Sequence, residues 1–508
     1  MKKYHLFFML LILLSCESND ISHIQNHHKL NVLFIISDDL NCDIGAYGNH
    51  EVSSPNIDAL AKKGVQFNNA HCQYPHCGPS RSSIMTGMYS DQTKILDNNI
   101  YLRSAIPDVV TLAQRFKQQG YQSIRIGKIF HLDNPGNIGT SGIDDIYSWT
   151  HTINPYGRDK VNEHLINSLA HRRYGGTLSW LAAEGKDDEQ TDGIAATEAI
   201  EQLEKFANSG DNFFLALGFM KPHLPFVAPA KYFETYNTDS IVIPDIPDEY
   251  LSTLPLPSSK SISSRKLQIN LKDSLAKEIK KGYYATVTFM DEQVGRVLKK
   301  LKETGLDRNT IVVFTSDHGF HLGEHGHWQK QTLFENSTKV PLIFYIPDNI
   351  SNDFTTNTPV ELIDIYPTLL DLVGIEIPKN VVGRSLKEVL FKREPSVRAS
   401  ALTKWRNGYS IKTERYRITS WGDSGSLGFE LYDHRYDTQE LNNLANDSSY
   451  SSVFDSLKIS LNNRIIESKQ KPQNLGRQIE GVQTIHIPKV VTYRDIHNLN
   501  GDITFYDE

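Results

Sequence analysis

The chain is long and slightly acidic, and its composition excludes several classes of protein. It has 508 residues, of which 39% are hydrophobic, so it can bury a substantial core in roughly two to three domains. The formal net charge is −7, and the sequence contains neither a basic run nor a zinc-type spacing, which argues against nucleic-acid binding. Because the overall charge does not attract anions, an anionic substrate would have to meet a local cluster of cations.

The first residues are typical of an export signal. Lys2 and Lys3 precede an apolar stretch over residues 6–14, which is too short to span a bilayer as a mature helix. The sequence LLSC at residues 13–16 then matches a bacterial lipobox, which predicts that residues 1–16 are a lipoprotein signal and that Cys16 is acylated. A simple cleaved signal peptide is the alternative. We therefore expect a protein that is exported and anchored by lipid in the bacterial cell envelope, in the periplasm or at the outer-membrane surface.

Apolar runs and amphipathic segments alternate through the first three-quarters of the chain. Buried strands are predicted at Val32–Ile36, Ile124–Gly127, Phe213–Phe219 and Ile311–Phe314. Helices are predicted at Pro55–Lys63, at Val109–Gln119, from an N-cap at Thr191 or Asp192, and at Tyr283–Thr304. This alternation of strand and helix predicts an α/β sandwich.

A different pattern follows Gly374. The segments Tyr409–Lys412 and Tyr416–Thr419 alternate in polarity like half-exposed antiparallel strands, and Glu430–Asp433 begins a third. We therefore expect a large α/β domain over residues 28–395. A smaller α+β domain with an antiparallel sheet and a polar tail is expected over residues 396–508.

The run CGPSR at residues 77–81, with Thr86-Gly87 after it, is the most specific motif in the chain. It resembles the signature of the type I sulfatases, Cys-x-Pro-Ser-Arg-x-x-x-x-Thr-Gly. The resemblance implies that a formylglycine-generating or anaerobic maturation enzyme oxidises Cys77 to Cα-formylglycine. One hydroxyl of its hydrate would attack sulfur, and the second would later expel sulfate. The alternative is a buried structural cysteine in a serine-rich turn before a helix.

Acidic residues stand at the ends of two predicted strands. Asp38 and Asp39 follow the first strand, and Asp317 follows the strand at residues 311–314. Strand ends at the rim of an open α/β sheet form binding sites, and carboxylate oxygens suit Ca²⁺ or Mg²⁺. The resemblance implies that these three residues, with His318 and the formylglycine at Cys77, hold one Ca²⁺ ion. An isolated Asp-Asp pair would otherwise be a solvated turn or a helix cap.

Cationic and proton-transfer groups complete the site that the resemblance implies. Lys128 and Lys330 would bind sulfate oxygens, and the Arg81 guanidinium would hold the aldehyde hydrate and neighbouring oxyanions. His131 would take the proton from the second formylglycine hydroxyl. His223 would be the general acid on the leaving alcohol oxygen. A lone lysine or histidine is usually a surface residue, and the chain has 19 histidines, so the order and spacing of these positions carry the assignment.

Four motifs resemble one branch of the sulfatases, the iduronate-2-sulfatases. They are Gly127–His131, Lys221–Phe226, Asp317–Gly319 and Leu322–Gly326. The first places its histidine three residues after the lysine, whereas the common arylsulfatase pattern spaces them by two. The resemblance extends over roughly residues 30–435 and implies the alkaline-phosphatase-like fold. No motif matches residues 134–186, which we expect to shape substrate choice.

Two cysteines have no role in these assignments. Outside the cytoplasm Cys42 and Cys72 could form a disulfide, but two reduced buried thiols agree equally well with the sequence.

The sequence thus predicts a sulfuric ester hydrolase that acts on a sulfated, uronate-containing glycan such as ulvan or a glycosaminoglycan. Two alternatives remain. One is a phosphoester or phosphonate hydrolase on the same fold. The other is a glycan-binding lipoprotein without turnover, which requires that Cys77 is not oxidised.

Overall fold

The computed structural model describes residues 29–170, 173–269, 271–347, 353–392 and 395–490. The predicted lipoprotein signal, including Cys16, lies outside these ranges. Within them, no helix has both the length and the apolar composition that a bilayer crossing requires.

A mixed nine-stranded sheet forms the centre of the large domain. The strands of the described chain are, in order, β1 (Asn31–Asp38), β2 (Val65–His71), β3 (Gln122–Gly127), β4 (His151–Ile153), β5 (Asn167–Ser168), β6 (Ser179–Ala183), β7 (Phe213–Pro222), β8 (Phe226–Pro229), β9 (Thr310–Ser316), β10 (His321–Leu322), β11 (Trp328–Gln329), β12 (Lys339–Tyr345), β13 (Phe354–Thr356), β14 (Val360–Glu361), β15 (Ala401–Trp405), β16 (Gly408–Lys412), β17 (Tyr416–Trp421) and β18 (Phe429–Asp433). The order across the large sheet is β13-β2-β12-β9-β1-β7-β3-β4, and β14 also pairs with β2.

Helices cover both faces of this sheet. The described α-helices are α1 (Pro55–Lys63), α2 (Cys77–Thr86), α3 (Ser90–Thr93), α4 (Leu102–Ala105), α5 (Leu112–Gln118), α6 (Arg158–Val161), α7 (Thr191–Ser209), α8 (Ala230–Glu234), α9 (Leu256–Ser263), α10 (Asp273–Glu303), α11 (Glu335–Thr338), α12 (Ile365–Leu372), α13 (Lys387–Lys392) and α14 (Ser451–Lys469).

The central strand shows why the buried strands are apolar without a break. β1 pairs in parallel with β7 on one side and with β9 on the other, and all of its residues are buried. Val32 and Phe34 pack in the core that contains side chains of α2, α5 and α12, whereas Leu33 and Ile35 pack in the core with α1, α7 and α10. Since both faces need apolar side chains, the strand cannot alternate in polarity. The predicted α/β sandwich is confirmed.

Two helix starts differ from the predicted ones. α10 begins at Asp273 rather than Tyr283. Its first turns are mostly polar and bury only a few side chains such as Ile279, so the apolar pattern did not reveal them. α7 begins at Thr191, but its N-cap is Gln190, so the predicted cap at Thr191 or Asp192 is wrong. The Asp192 carboxylate instead accepts hydrogen bonds from the backbone N–H groups of residues 220 and 221, at the end of β7.

The small domain contains an antiparallel sheet in the order β15-β16-β17-β18, as the sequence pattern predicts. Ile411, Ile418 and Leu431 of this sheet pack with Leu461 of α14. The pattern predicted neither β15 nor α14. The predicted domain boundary at residue 396 stays a prediction.

Four charged residues form a buried junction cluster where the small domain meets α11. Arg417 Nε lies 2.5 Å from Glu440 Oε1, and the same guanidinium pairs with Glu335. His434 Nε2 lies 2.8 Å from Glu440 Oε1, and the second Glu440 oxygen accepts the backbone N–H of Glu335 at 2.8 Å. These contacts hold the small domain against the loop that follows β11.

Residues 471–490 run back over the large domain after α14. Leu475 is buried in the core that contains α2. Further along, the Ile485 N–H donates to the Asn99 carbonyl at 2.6 Å, and the Val490 N–H donates to the Gly136 carbonyl at 2.7 Å. The segment therefore fastens two surface loops of the large domain.

Cys42 and Cys72 are free thiols, so the disulfide is excluded. Cys72 is buried and Cys42 is partly exposed.

Candidate active site

The carboxyl ends of four parallel strands meet at one edge of the large sheet. β1 ends at Asp38, β9 is followed by Asp317, β3 is followed by Lys128, and β7 is followed by His223. Cys77, at the first position of α2, faces the same edge, because its Sγ lies 3.5 Å from Asp38 Oδ1. The sheet therefore brings together residues that are far apart in the sequence.

Cys77 lies at the centre of this group. Its side chain is 1% exposed, and Sγ lies 3.3 Å from His318 Nε2 and 3.4 Å from Lys330 Nζ. Burial, reinforced by the charge of Asp38, raises the pKa of the Cys77 thiol well above its usual value. A catalytic cysteine needs a stabilised thiolate, so this thiol is a poor nucleophile as it stands.

Arg81 fixes the ends of the strands around Cys77. Its side chain is fully buried, and Nε donates to Asp317 Oδ2 at 2.8 Å. The terminal nitrogens donate to the carbonyls of Lys128, at 2.5 Å, and Ser37, at 3.2 Å. Burial opposes the charge, but the neighbouring carboxylates, Asp317 first, raise the pKa of Arg81. The guanidinium therefore connects three strand ends in addition to any contact with substrate.

Two lysines pair with the two consecutive aspartates. Lys128 Nζ lies 2.5 Å from Asp38 Oδ2, and Lys330 Nζ lies 2.6 Å from Asp39 Oδ1. Burial disfavours the Asp38 charge, yet Lys128 and the other nearby cations hold its pKa well below the usual value. Burial raises the pKa of Asp39 to about 7 against the effect of Lys330. The pKa values of the two aspartates thus differ, because nearby cations compensate the charge of Asp39 less well than that of Asp38.

Asp39 has an oxygen without a partner. Oδ2 is buried and accepts no hydrogen bond from the described residues, and His223 Nε2 lies 3.8 Å from it. The backbone of Asp39 has a φ of 67°, which few non-glycine residues adopt. A buried carboxylate oxygen with no donor is costly, and both features indicate a position that is kept for binding.

His318 presents a free nitrogen to the same space. Nδ1 contacts the Gly319 carbonyl at 3.1 Å, so this nitrogen carries the proton of the neutral ring. Burial lowers the pKa of His318 to about 4. Nε2 therefore has a lone pair directed at Cys77 Sγ and at Asp317 Oδ2, which lies 3.6 Å away.

These side chains satisfy the donor geometry of a metal site. Ligand atoms of Asp38, Cys77, Asp317 and His318 lie within 4.8 Å of one another, as do those of a second set in which Asp39 and His223 replace the last two. Three of these six residues are aspartates, whose hard oxygens suit Ca²⁺ or Mg²⁺. The unpartnered oxygen of Asp39 adds a further ligand, so the residues present fit a divalent cation.

The two predicted proton-transfer histidines are buried and neutral. His131 is 9% exposed, its Nδ1 has no hydrogen-bond partner in the described chain, and burial together with Lys128 lowers its pKa well below the usual value. His223 Nδ1 contacts the Leu224 carbonyl at 2.5 Å, which leaves Nε2 free to face the site. Burial and Lys330 lower the pKa of His223 as well.

Sequence reasoning did not single out His76 or Lys221 as site residues. His76 immediately precedes Cys77, and its ring centroid lies 6.0 Å from that of Trp405, so the small domain reaches the rim of the site. Nothing in the local sequence signals this contact. Lys221 is buried and donates from Nζ to the Pro225 carbonyl at 2.9 Å. Its place in the motif Lys221–Phe226 was the available signal.

Two family models match the chain. The model described as Sulfatase matches residues 30–375, and the model described as N-sulphoglucosamine sulphohydrolase, C-terminal, matches residues 323–467. The chain therefore belongs to the formylglycine-dependent sulfatase family. It is a sulfatase, an enzyme that hydrolyses sulfate esters.

Several relatives span nearly the whole chain. A sulfatase of Formosa agariphila is 34% identical and covers 90% of this chain and 91% of its own length. The iduronate 2-sulfatase of Homo sapiens is 31% identical, with coverage of 84% and 92%. An ulvan-active sulfatase of Formosa agariphila is 28% identical, with coverage of 90% and 85%.

A solved structure supports the fold alone. The phosphonate monoester hydrolase of Silicibacter pomeroyi superposes with a TM-score of 0.73, at 22% identity, over 88% of this chain and 97% of that one. The predicted alkaline-phosphatase-like architecture is confirmed, whereas the roles assigned to individual site residues stay predictions.

Proposed function

We propose that the protein hydrolyses sulfate esters of a uronate-containing glycan through a formylglycine hydrate at position 77 and one Ca²⁺ ion. The observation that carries this proposal is the enclosure of Cys77 Sγ by His318 Nε2, Lys330 Nζ and Asp38 Oδ1, all within 3.5 Å. Sγ stands where an oxygen of the aldehyde hydrate would be. The hydrate supplies one hydroxyl for attack on sulfur and a second for release of sulfate.

The thiol itself does not fit the reaction. Its pKa is raised by burial and by Asp38, so the thiolate is disfavoured. A hydrated aldehyde at the same position would instead be surrounded by hydrogen-bond partners, among them the His318 imidazole and the Lys330 ammonium. This contrast supports a modified residue over catalysis by an ordinary cysteine.

The carboxylates would hold the divalent cation. Asp38, Asp39 and Asp317 provide oxygens, and His318 provides Nε2. Such an ion would supply positive charge beside the attacking hydroxyl and the sulfuryl oxygens. Lys330 Nζ lies 2.6 Å from Asp39 Oδ1, and Lys128 Nζ lies 2.5 Å from Asp38 Oδ2. Once the carboxylates hold a cation, these two ammonium groups would contact the sulfate ester.

His131 and His223 would transfer protons. Neutral His131, with an unpartnered Nδ1, can accept the proton of the second hydroxyl when sulfate is expelled. His223 must carry a proton on Nε2 to protonate the leaving alcohol. Burial, and after it the charges of Lys330 and Lys128, lower the pKa of His223. A bound sulfate ester would offset those charges and so raise that pKa toward the protonated form.

The glycan substrate is inferred from relatives that span nearly the whole chain. Those named iduronate 2-sulfatase and ulvan-active sulfatase support a sulfated sugar polymer that contains uronate. Together with the export signal, this favours an enzyme that is anchored by lipid in the bacterial cell envelope and degrades polysaccharide there. Its partner during synthesis would be a formylglycine-generating or anaerobic maturation enzyme.

The test combines mass spectrometry with sulfate release. Protein produced with a maturation enzyme should show a formylglycine mass in the tryptic peptide that contains Cys77, and it should release sulfate from defined sulfated uronate oligosaccharides. Cys77→Ala should abolish release. Cys72→Ala, which removes a buried thiol outside the site, should retain it.

Two results would overturn the proposal. An unmodified thiol in protein from the native host would favour a glycan-binding protein without turnover. Faster hydrolysis of nitrophenyl phosphate or phosphonate esters than of any sulfate ester would favour the phosphorus-ester alternative.

A further inference from the structure

An arginine outside the predicted site lies at the junction of three segments beside it. Arg265 follows α9, and one terminal nitrogen donates to the Gly176 carbonyl at 2.5 Å. The other terminal nitrogen donates to Gln331 Oε1 at 3.3 Å. Gln331 is the residue after Lys330, whose Nζ lies 3.4 Å from Cys77 Sγ. These contacts attach the guanidinium to the segment that carries Lys330.

The charge of Arg265 has no carboxylate partner among the described residues. Both of its acceptors are neutral, so of the five N–H groups of a guanidinium, the three that do not make these bonds remain available. The fully buried arginines of the described chain behave differently, because each forms an ion pair; they are Arg81, Arg125 and Arg417. Arg265 is only partly buried, so solvent, or an anion that displaces it, can reach the free N–H groups of its guanidinium.

The surroundings of Arg265 connect it to the catalytic edge. Burial lowers the pKa of Arg265, and the Asp39 carboxylate opposes this shift. Burial, Lys330 and His318, together with Arg265, lower the pKa of His76, which precedes Cys77. The charge of Arg265 therefore acts on Asp39 and on His76, the residue that precedes the nucleophile position.

We propose that Arg265 binds the carboxylate of a uronic acid that carries or adjoins the sulfate ester. The inference rests on the proposed glycan sulfatase function and adds a second anion subsite to it. A planar guanidinium with free N–H groups can hold a carboxylate through two parallel hydrogen bonds, which a lysine cannot do. Lys330 and Arg265, on adjoining segments, would thus bind the sulfate and the carboxylate of one substrate.

This subsite also gives residues 134–186 a physical role. Gly176 belongs to that segment, and its carbonyl accepts both from Arg265 and from Gln329 Nε2, the latter at 3.2 Å. A backbone carbonyl can position the guanidinium without any sequence motif. Changes of length or conformation near Gly176 would therefore move the carboxylate subsite while leaving the catalytic edge intact.

The first experiment compares two substrates that differ only in the carboxylate. One is a sulfated uronate oligosaccharide, and the other is the same compound with the carboxyl group reduced to an alcohol. Arg265→Ala should lower kcat/KM about 30-fold on the first, mainly through KM, because a hydrogen-bonded charge pair is lost. On the reduced compound the loss should stay within about twofold. Arg265→Lys should fall between, because it keeps the charge without the planar fork.

Arg308→Ala is the matched control. Arg308 is exposed, lies at the opposite end of β9 from the site, and donates from Nε to the Gly305 carbonyl. Its removal changes the net charge by the same amount as removal of Arg265. Both substrates should be cleaved by Arg308→Ala as by the wild type.

The outcomes separate this inference from the function on which it rests. Equal losses on both substrates with Arg265→Ala would overturn the subsite and make Arg265 a structural residue. A third substrate, an oligosaccharide with two sulfates and no carboxylate, tests the nature of the anion. If Arg265→Ala impairs cleavage of this substrate alone, the subsite binds a second sulfate, and the proposal that it binds a carboxylate is overturned. If the wild type cleaves nitrophenyl sulfate but no glycan, the proposed glycan function has failed instead.

A binding experiment removes the dependence on turnover. Cys77→Ala should bind the sulfated uronate oligosaccharide in calorimetry, and Cys77→Ala with Arg265→Ala should bind it about 30-fold more weakly. The carboxyl-reduced compound should bind both proteins alike. Identical affinities of the two proteins for the uronate compound would refute the proposal.

Discussion

The active-site edge and the junction cluster both bury several charged side chains, but they differ in how completely the charges are paired. In the junction cluster, each carboxylate of Glu335 and Glu440 contacts Arg417, and none of the buried side-chain nitrogens and oxygens of these three residues lacks a hydrogen bond. At the active-site edge, Asp39 Oδ2 and His131 Nδ1 are buried without partners in the described chain.

The pKa directions follow the same division. Burial opposes the Glu440 charge, but Arg417 and His434 lower its pKa to about 2. Burial raises the pKa of Asp39 to about 7, although Lys330 lies beside it. The buried charges of the junction cluster thus stabilise the structure, whereas those of the active-site edge are available for binding. The two regions differ in how many buried polar atoms lack a partner, so variants in the two regions should differ in their effect on activity.

Asp317→Asn should give the largest effect on activity. Because Asp317 pairs with the buried Arg81 guanidinium, the free energy of unfolding should also fall, by about 3 kcal/mol. Sulfate release should fall about 10³-fold, because a metal ligand and its charge are lost. Activity would be followed on a sulfated oligosaccharide and stability by chemical denaturation. Wild-type activity would remove Asp317 from the proposed metal site.

Glu440→Gln should affect stability without affecting activity. Loss of one partner of a buried ion pair should lower the free energy of unfolding by about 3 kcal/mol. The kcat/KM should stay within about twofold of the wild type, since Glu440 is not among the predicted site residues. Glu414→Gln, at an exposed position of the same domain, is the control and should change stability by less than about 0.5 kcal/mol. A stable but inactive Glu440→Gln protein would contradict a purely structural role of the junction cluster.

The same residue gives a pH dependence. The pKa of Glu440 is about 2 in the folded protein, below its usual value of 4.5. Its contribution to stability is therefore fully present above about pH 4.5 and is lost as the pH falls through 2. Denaturation curves of the wild type and of Glu440→Gln should converge on acidification over this range. A stability difference that stays constant down to pH 2 would argue against a charged Glu440.

His223→Ala tests whether the unsatisfied groups at the edge move protons. An alkyl sugar oxygen needs a proton in order to leave, whereas nitrophenolate leaves readily. We therefore expect about a 100-fold loss on the sugar sulfate and a much smaller loss on nitrophenyl sulfate. His131→Ala should impair both substrates, because sulfate must be expelled in either case. Equal losses on the two substrates for His223→Ala would favour simple binding over an acid role.

The smallest effect should come from adding Ca²⁺ to the chelated protein. At ten times the dissociation constant, a bound ion adds about 1.4 kcal/mol to the free energy of unfolding. The wild type should therefore melt at a higher temperature with Ca²⁺, and Asp317→Asn should not respond. Full activity after exhaustive chelation, with the absence of metal confirmed, would refute the ion.

Much of the active-site edge follows from the sequence because strands and their ends are local. The continuous apolar run of β1 predicted a buried strand, and the residues after it, Asp38 and Asp39, were predicted to lie at the sheet rim. The residues that the sequence did not reveal depend on contacts between distant segments. Arg265 is positioned by a backbone carbonyl at Gly176, and His76 meets Trp405 from the other domain.

The small domain shows the same limit. β16 and β17 were predicted from their alternating polarity, whereas α14 was not predicted. Among its residues only Leu461 and Ser468 are buried, so it lacks a strong apolar stripe. Its Arg464 pairs with the buried Glu361 of the large domain at 2.6 Å, a contact that no local pattern encodes.

The segment at residues 471–490 makes the active-site surroundings depend on residues that follow α14. The loop that it fastens at Asn99 also contains Asn98, whose Oδ1 accepts the Gly78 N–H at 2.8 Å, beside the nucleophile position. Synthesis proceeds from the amino terminus, so this loop gains its fastening only after residues 471–490 have emerged, long after every predicted catalytic side chain has been made. The surroundings of Cys77 are therefore completed by a segment that contributes no predicted catalytic residue.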